Sequence, residues 1–424
     1  MMTYNEAIEY IHSVSWKGSR PGLERITELL EGIGDPQDFL SFVHIAGTNG
    51  KGSTSAMLES ILRDAGYKTG MFVSPYIESF NERIQINGCE IDNALLAEVT
   101  EFVKETADKM EDKPTEFELI TAIGFEAFRR QKCDIVVLEV GMGGRLDSTN
   151  VIKNPYLSVI TSIALDHTAI LGDSIEKIAY EKSGIIKPLC PVVWGGDSPE
   201  AEKVIKDFAK RSSSDFHKPK IAEPLSMSPS GISFSLGRYS NLFVPLSGVY
   251  QLRNVATVIK AAEILNDRGL RILEENIRRG LASVRWKGRF EKLSDAPEVY
   301  YDGGHNIEGV TYAAKTVKEY FTNKGIKVNL IFGVMADKDW KDMVGIISPY
   351  VEKAFCVFPN NDRSLDKESL AEEFRQNNVE AYIASDFVNA AEMALKCEGV
   401  TLALGSLYMY ADVKNAVKKV TEKR

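Results

Sequence analysis

The segment Gly47-Thr48-Asn49-Gly50-Lys51-Gly52-Ser53-Thr54 constrains this chain more than any other. It follows the apolar run 39–46 and precedes Met57, Leu58, Ile61 and Leu62, whose spacing makes one apolar helix face. A strand that turns through glycines into a helix suits a parallel α/β sheet, with the turn at the C-terminal edge. Glycines let successive backbone N–H groups converge on phosphate oxygens, the helix N-terminus adds positive potential, and Lys51 supplies a mobile charge. Gly47, Thr48, Asn49, Gly50, Lys51, Gly52 and Ser53 are therefore candidate nucleotide contacts. Two departures from the general pattern matter: Ile45 stands where the first glycine is expected, and Gly52 follows the lysine where a hydroxyl would hold Mg2+. Ser74, after the strand expected at 67–73, is the nearest replacement hydroxyl, although a turn hydroxyl before Pro75 is an equal reading. Glu139, ending a buried strand at 134–140, needs compensation and is its carboxylate partner.

Further strands are expected at 157–163 and 191–194, with helical segments and long glycine-bearing loops between. The alternation at 231–246 reads as an antiparallel hairpin, an appendage around 221–248 ahead of a helix at 249–265. After Pro297, strands near Val299 and at 328–334, 354–358, 379–384 and 400–404 alternate regularly with helices. The expected fold class is α/β. An N-terminal P-loop-type domain, 1–295, carries a mostly parallel sheet with helices on both faces, and a smaller doubly wound, Rossmann-like C-terminal domain spans 296–424.

With 51 basic against 60 acidic residues and no block of like charge, nucleic-acid binding is not expected. Glu6 and Glu9 replace a basic leader, and the apolar runs are strand-length, so neither a signal peptide nor a membrane span is expected. Five cysteines with no CxxC pair point to a reducing cytoplasm rather than a zinc site, and without a sustained heptad a monomer is expected.

Six blocks in order, GTNGKGST (47–54), SPYIESFNERI (74–84), EVGMGGRLDSTN (139–150), ALDHTAILGDSIEKIAYEKSGIIKP (164–188), DGGHN (302–306) and GSLY (405–408), resemble the folylpolyglutamate synthase and dihydrofolate synthase family, relatives of the Mur ligases. The resemblance implies an ATP-dependent amide ligase that phosphorylates a substrate carboxylate and lets the amine of L-glutamate attack the acyl phosphate. It implies Mg2+, one or two ions, on Ser74, Glu139 and His167, a carbamylated Lys182, and a monovalent cation. From the residues alone, a hydrogen-bonded structural histidine is the commoner reading of His167, and Lys182 also reads as an exposed helix lysine. The resemblance also carries Asn254 to the nucleotide, Arg289 to its phosphates, Asp302 to the ribose region and His305 to the reacting phosphate or the incoming amino acid, with Lys51, Lys182 and His305 as the catalytic set. It implies closure about a hinge at 295–297. One departure is Gly304, where the family usually has alanine.

For the folate or pteroate, the resemblance points to 20–25, with Pro21 and Gly22, and to Thr115, Phe117 and Glu118. Phe117 fits a core position as well. Arg145 and Asp147 either position the substrate loop or pair with each other, and Arg83 has the same ambiguity. Lys338 and Arg363, beyond strand ends in the second domain, are candidate anchors for the glutamate carboxylates. Whether dihydropteroate is accepted beside reduced folates stays open. A Mur-type cell-wall ligase and a nucleotide-dependent switch without ligation are the competing readings.

Overall fold

The computed structural model describes residues 1–14 and 20–422. Contacts divide the chain into two compact units, Met1–Ala222 with Arg253–Val284, and Glu223–Leu252 with Arg285–Arg424.

The first unit is built on eight strands: β1 (Phe42–Ala46), β2 (Thr69–Phe72), β3 (Ile84–Ile86), β4 (Cys89–Glu90), β5 (Ile135–Glu139), β6 (Leu157–Ile160), β7 (Val192–Trp194) and β8 (Phe216–His217). Their order is β4-β3-β2-β5-β1-β6-β7-β8. From β2 to β8 all pairings are parallel, while β3 and β4 add an antiparallel edge. Every residue of β1 and β5 is buried, so both faces are covered, as the unbroken apolar runs require of a parallel sheet. Phe42, Phe72 and Leu138 pack with Phe125 and Phe128 of the helix Glu116–Arg130. Ala46, Ile160 and Trp194 pack with Ile178 and Ile205 from the helices Ile175–Ser183 and Pro199–Arg211. Truncating a buried aromatic such as Phe125 costs about 3–5 kcal/mol, so these clusters, more than helix propensity, hold the layers.

The register sets the site. Ile45 lies beside Glu139, Ala46 beside Ile160 and Phe72 beside Leu138, so four neighbouring strands end on one line. The loops carrying Ser74, Glu139, the glycine-rich turn and residues 161–167 all leave from that edge, where open α/β sheets bind ligands.

The second unit holds an antiparallel sheet of β9 (Glu223–Ser228), β10 (Gly231–Leu236) and β11 (Tyr239–Val244). It also holds a six-stranded sheet of β12 (Glu291–Asp295), β13 (Glu298–Asp302), β14 (Val328–Phe332), β15 (Lys353–Cys356), β16 (Glu380–Ile383) and β17 (Val400–Leu404), ordered β12-β13-β17-β14-β15-β16. Only β12 runs antiparallel to its neighbour.

Two expectations about organisation change. The boundary expected between 295 and 296 falls in the turn joining β12 to β13, which pair from Glu291↔Tyr301 to Asp295↔Glu298, so 295–297 is a hairpin turn inside the second unit and no hinge. The appendage expected on the first domain is three-stranded rather than a hairpin, and its contacts assign it to the second unit. The following helix runs Gln251–Asp267 and carries the chain back to the first unit from Arg253.

Candidate active site

The glycine-rich turn is held from beneath by the strand end at 161–164. Thr48 N–H donates to Ser162 O (2.7 Å) and Asn49 N–H to Ser162 Oγ (3.1 Å), while Thr161 Oγ1 donates to Asn49 O (2.6 Å). Thr48 and Asn49 thus spend their amides on the fold, which narrows the phosphate donors expected over Gly47 to Ser53. The helix Lys51–Asp64 then starts at Gly50, and first-turn N–H groups have no acceptor within their own helix. Gly50 has φ +85°, and a Cβ there would come within 2.7 Å of Asn254 Oδ1, so glycine is needed both for the turn and for the approach of Asn254. The predicted nucleotide residue Asn254 therefore stands against the predicted loop.

Two lysines converge on one carbonyl. Lys51 Nζ donates to Gly47 O (3.1 Å) and Thr48 O (3.3 Å), and Lys182 Nζ donates to Gly47 O (2.9 Å). Lys182 is 4% exposed, so it is no surface lysine. Burial first, and the Lys51 charge second, lower its pKa from 10.5 to about 7. Its helix end interlocks with the loop after Glu139. A Cβ on Gly144 would meet Glu181 O at 2.8 Å and Lys182 Cα at 3.0 Å, and one on Gly184 would meet Arg145 Cβ at 2.4 Å.

Arg145 and Asp147 do not pair with each other. Arg145 bonds Glu181 through its guanidinium (2.9 Å) and its backbone N–H (2.7 Å), and lies over the Tyr180 ring. The buried Asp147 caps the turn Ser148–Val151 and accepts from Met142 N (2.9 Å) and Thr149 N (3.0 Å). Gly141 sits between the Phe117 ring and the Asp147 carboxylate, where a Cβ would be 2.5 Å and 3.1 Å from them, so Phe117 is both partly buried core and a wall of this loop.

Of the metal candidates, Glu139 is 3% exposed at the end of β5, Ser74 is half-buried beyond β2, and His167 stands with φ +50° at the start of the short helix Thr168–Leu171, its side chain 50% exposed. Among the described residues no three His, Cys, Asp or Glu side chains cluster to hold an ion. Ser74 and Glu139 offer the hard oxygens that Mg2+ takes, Glu139 at the end of β5 and Ser74 two residues beyond the end of the adjacent β2.

The two segments expected to contact the pteridine meet. Arg20 pairs with Asp112 (2.9 Å) and the buried Arg25 with Glu118 (2.9 Å). Glu118 also completes a capping box with Thr115, and Arg25 Nη2 donates to Arg20 O (2.7 Å), so the ion pair ties the start of the helix Glu116–Arg130 to the segment 20–25. Arg83 lies over the Tyr76 and Phe80 rings.

In the second unit the buried Asp302 accepts from Tyr250 OH (2.8 Å), Phe290 N (3.0 Å) and Gly304 N (2.8 Å), which fixes the loop to His305; burial raises its pKa against the opposing charge of Arg289. His305 Nδ1 donates to Gly303 O (2.9 Å), and a Cβ on Gly303 would come within 2.5 Å of Arg289 Nη1. The loops bearing Lys338 and Arg363 are joined by the bridge Met335↔Ser364 and by Ala336 N–H to Arg363 O (2.8 Å), so these candidate anchors share one edge.

The family described as Mur ligase middle domain matches residues 45–262, and Mur ligase, glutamate ligase domain matches 288–406. A dihydrofolate synthase/folylpolyglutamate synthase of Bacillus subtilis is 37% identical over 98% of this chain and 99% of its own, and folylpolyglutamate synthase of Lacticaseibacillus casei is 34% identical over 98% and 99%. The chain belongs to the folylpolyglutamate and dihydrofolate synthase family. A solved Escherichia coli structure, FolC in complex with DHPP and ADP, aligns with a TM-score of 0.87 at 29% identity, covering 98% of each chain.

Within this family frame, Gly304 replaces an expected alanine at little cost. A Cβ there would sit 3.0 Å from the backbone of Gly309 and 3.1 Å from Asp302 Oδ1, a tight fit that glycine relieves. Several supporting residues escaped the sequence reading: Thr161 and Ser162 beneath the phosphate loop and Tyr250 on Asp302, none of which carries a local signal. Arg25 lay inside the segment 20–25 that the sequence singled out, but its partner Glu118 is set only by the fold.

Proposed function

We propose that this chain is an ATP-dependent ligase that joins L-glutamate to the carboxylate of a folate, and that dihydropteroate enters the same site. The observation that carries the reading is the convergence of Lys51 and the buried Lys182 on Gly47 O, at the head of a helix whose N-terminus faces the binding edge. The Escherichia coli relative, with DHPP and ADP in one chain, supports the substrate pair.

In this reading a substrate carboxylate oxygen attacks the γ-phosphorus and ADP leaves. The glutamate amine then attacks the acyl carbon, an N–C bond forms, inorganic phosphate departs with the acyl C–O bond pair, and the nitrogen gives up its extra proton to the departing phosphate or to water. Lys51 and the first-turn amides hold the outer phosphates and neutralise their charge, which is most of what phosphoryl transfer asks of a protein. Ser74, Glu139 and His167 are the residues to hold Mg2+, which supplies further charge neutralisation at the phosphates when bound. Lys182, neutral above about pH 7, is suited to react with CO2, and the carbamate would place a negative group beside Lys51. Arg289 and Asn254 attend the nucleotide, and Lys338 and Arg363 the glutamate carboxylates. The site at 302–306 orients His305 for the incoming amine. A cytoplasmic setting belongs to the proposal; five free thiols support it, and among the described residues no helix is long and apolar enough to cross a membrane.

The test is a mass-resolved ligation assay with Mg-ATP and glutamate, supplying tetrahydrofolate, dihydropteroate and a Mur precursor in separate reactions. Glutamate addition to a pteridine, lost in Lys51→Ala and Glu139→Ala, is the expected result. Hydrolysis of ATP indifferent to every acceptor would replace the ligase by a switch.

A further inference from the structure

A histidine lies at the centre of a strand whose other residues are all apolar. His44 in β1 is wholly buried, three residues before Gly47. Its Nε2 is 2.9 Å from Thr149 Oγ1, and Thr149 Oγ1 is 2.6 Å from Asp147 Oδ1. Asp147 Oδ1 also receives Thr149 N–H, and Oδ2 receives Met142 N–H, so the carboxylate is an acceptor on both oxygens. The single hydroxyl proton of Thr149 therefore goes to Asp147, and Oγ1 must accept from His44. That assigns the tautomer: Nε2 carries the proton, and Nδ1, which has no hydrogen-bond partner, is bare. Burial, with the charge of Lys187, lowers the imidazole pKa to about 3, so the ring holds this form throughout the working range.

The relay ends on the loop 141–147. That loop follows Glu139, its Gly144 packs on Lys182, and its Arg145 amide donates to Glu181 O. We infer that His44 is a positioning residue for ligation: through Thr149 and Asp147 it ties the strand that feeds the phosphate loop to the loop that places Glu139 and Lys182. The inference rests on the ligase reading of the previous section for its kinetic consequence and on the hydrogen-bond geometry for the relay itself.

Four variants test it, measured by ligation kinetics with tetrahydrofolate. Thr149→Val and His44→Leu break the relay, whereas Thr149→Ser keeps a hydroxyl and His44→Gln keeps a donor near the Nε2 position. The breaking variants should lower kcat roughly tenfold, the loss of about one buried hydrogen bond, with KM for ATP unchanged. The conservative pair should recover most of the rate, and His44→Leu should cost nothing more once Thr149→Val is present. Rates that follow thermal stability alike in all four variants would reduce His44 to packing and overturn the inference. Long-range 1H–15N spectra of labelled histidine should show a protonated Nε2 and a bare Nδ1, and the Met142 amide should exchange faster in Thr149→Val. A protonated Nδ1, or unchanged exchange, refutes the relay. If the wild-type protein ligates nothing, the functional reading fails, and the spectra and exchange still decide the relay.

Discussion

Replacing Lys182 by methionine should stabilise the first unit while ending catalysis. In the fold the amine is 4% exposed and its pKa falls from 10.5 to about 7, chiefly through burial. Between those values the unfolded chain holds a proton that the folded chain does not, so this group makes stability rise with pH across the window. Its penalty is complete below about pH 7 and gone above 10.5. A gap of about three and a half pH units, at about 1.4 kcal/mol each, bounds the penalty near 5 kcal/mol. Methionine removes it but forfeits the 2.9 Å bond to Gly47 O, worth roughly 1 kcal/mol, so the net gain at pH 7 is about 3–4 kcal/mol. Urea unfolding of both proteins, followed by circular dichroism at several pH values in CO2-free buffer, measures this directly. The difference should shrink steadily as pH rises and change sign slightly near 10.5, where only the lost bond remains. A gain that does not vary with pH, or a loss at pH 7, would refute the assignment of Lys182 as a desolvated amine.

Arg25→Met should destabilise by about 3–5 kcal/mol, because Glu118 would be left buried without its ion-pair partner, and the double change with Glu118→Met should cost less than the single one; unfolding midpoints decide both. Gly144→Ala should cost about 1–3 kcal/mol and lower kcat, since its Cβ would press on the backbone of Glu181 and Lys182, whereas activity with unchanged kinetics would show that the helix end gives way freely. Tyr250→Phe should remove the hydroxyl from Asp302 at a cost of about 1–3 kcal/mol and disturb His305 kinetics in the second unit, visible as lower kcat, with near-wild-type rates counting against Asp302 as the anchor of that loop.

Local pattern made much of this legible. The strand, glycine turn and helix at 42–64 followed from an apolar run, φ-permissive residues and an apolar helical face, each a property of neighbours in the chain. The regular alternation after Pro297 likewise marked the five parallel strands of the second sheet, most clearly β14 and β17, which are buried on both faces and therefore largely apolar, and least clearly the partly exposed edge strand β16. The peripheral strands β3, β4, β8, β9 and β12 carried no such signal, being only two or three residues long or, in β9 and β12, without a buried residue.

The sequence by itself determined which groups are available: the phosphate loop, the carboxylate ending β5, the lysines, and the family to which they belong. Tertiary structure alone decided their partners and protonation. Arg145 went to Glu181 instead of Asp147, and Lys182 became an amine with a pKa of about 7. The same folding assigned 223–252 to the second unit. Chain order carries local propensity, but desolvation and charge pairing depend on which distant segments share a buried volume, and that is fixed only when the sheet register is.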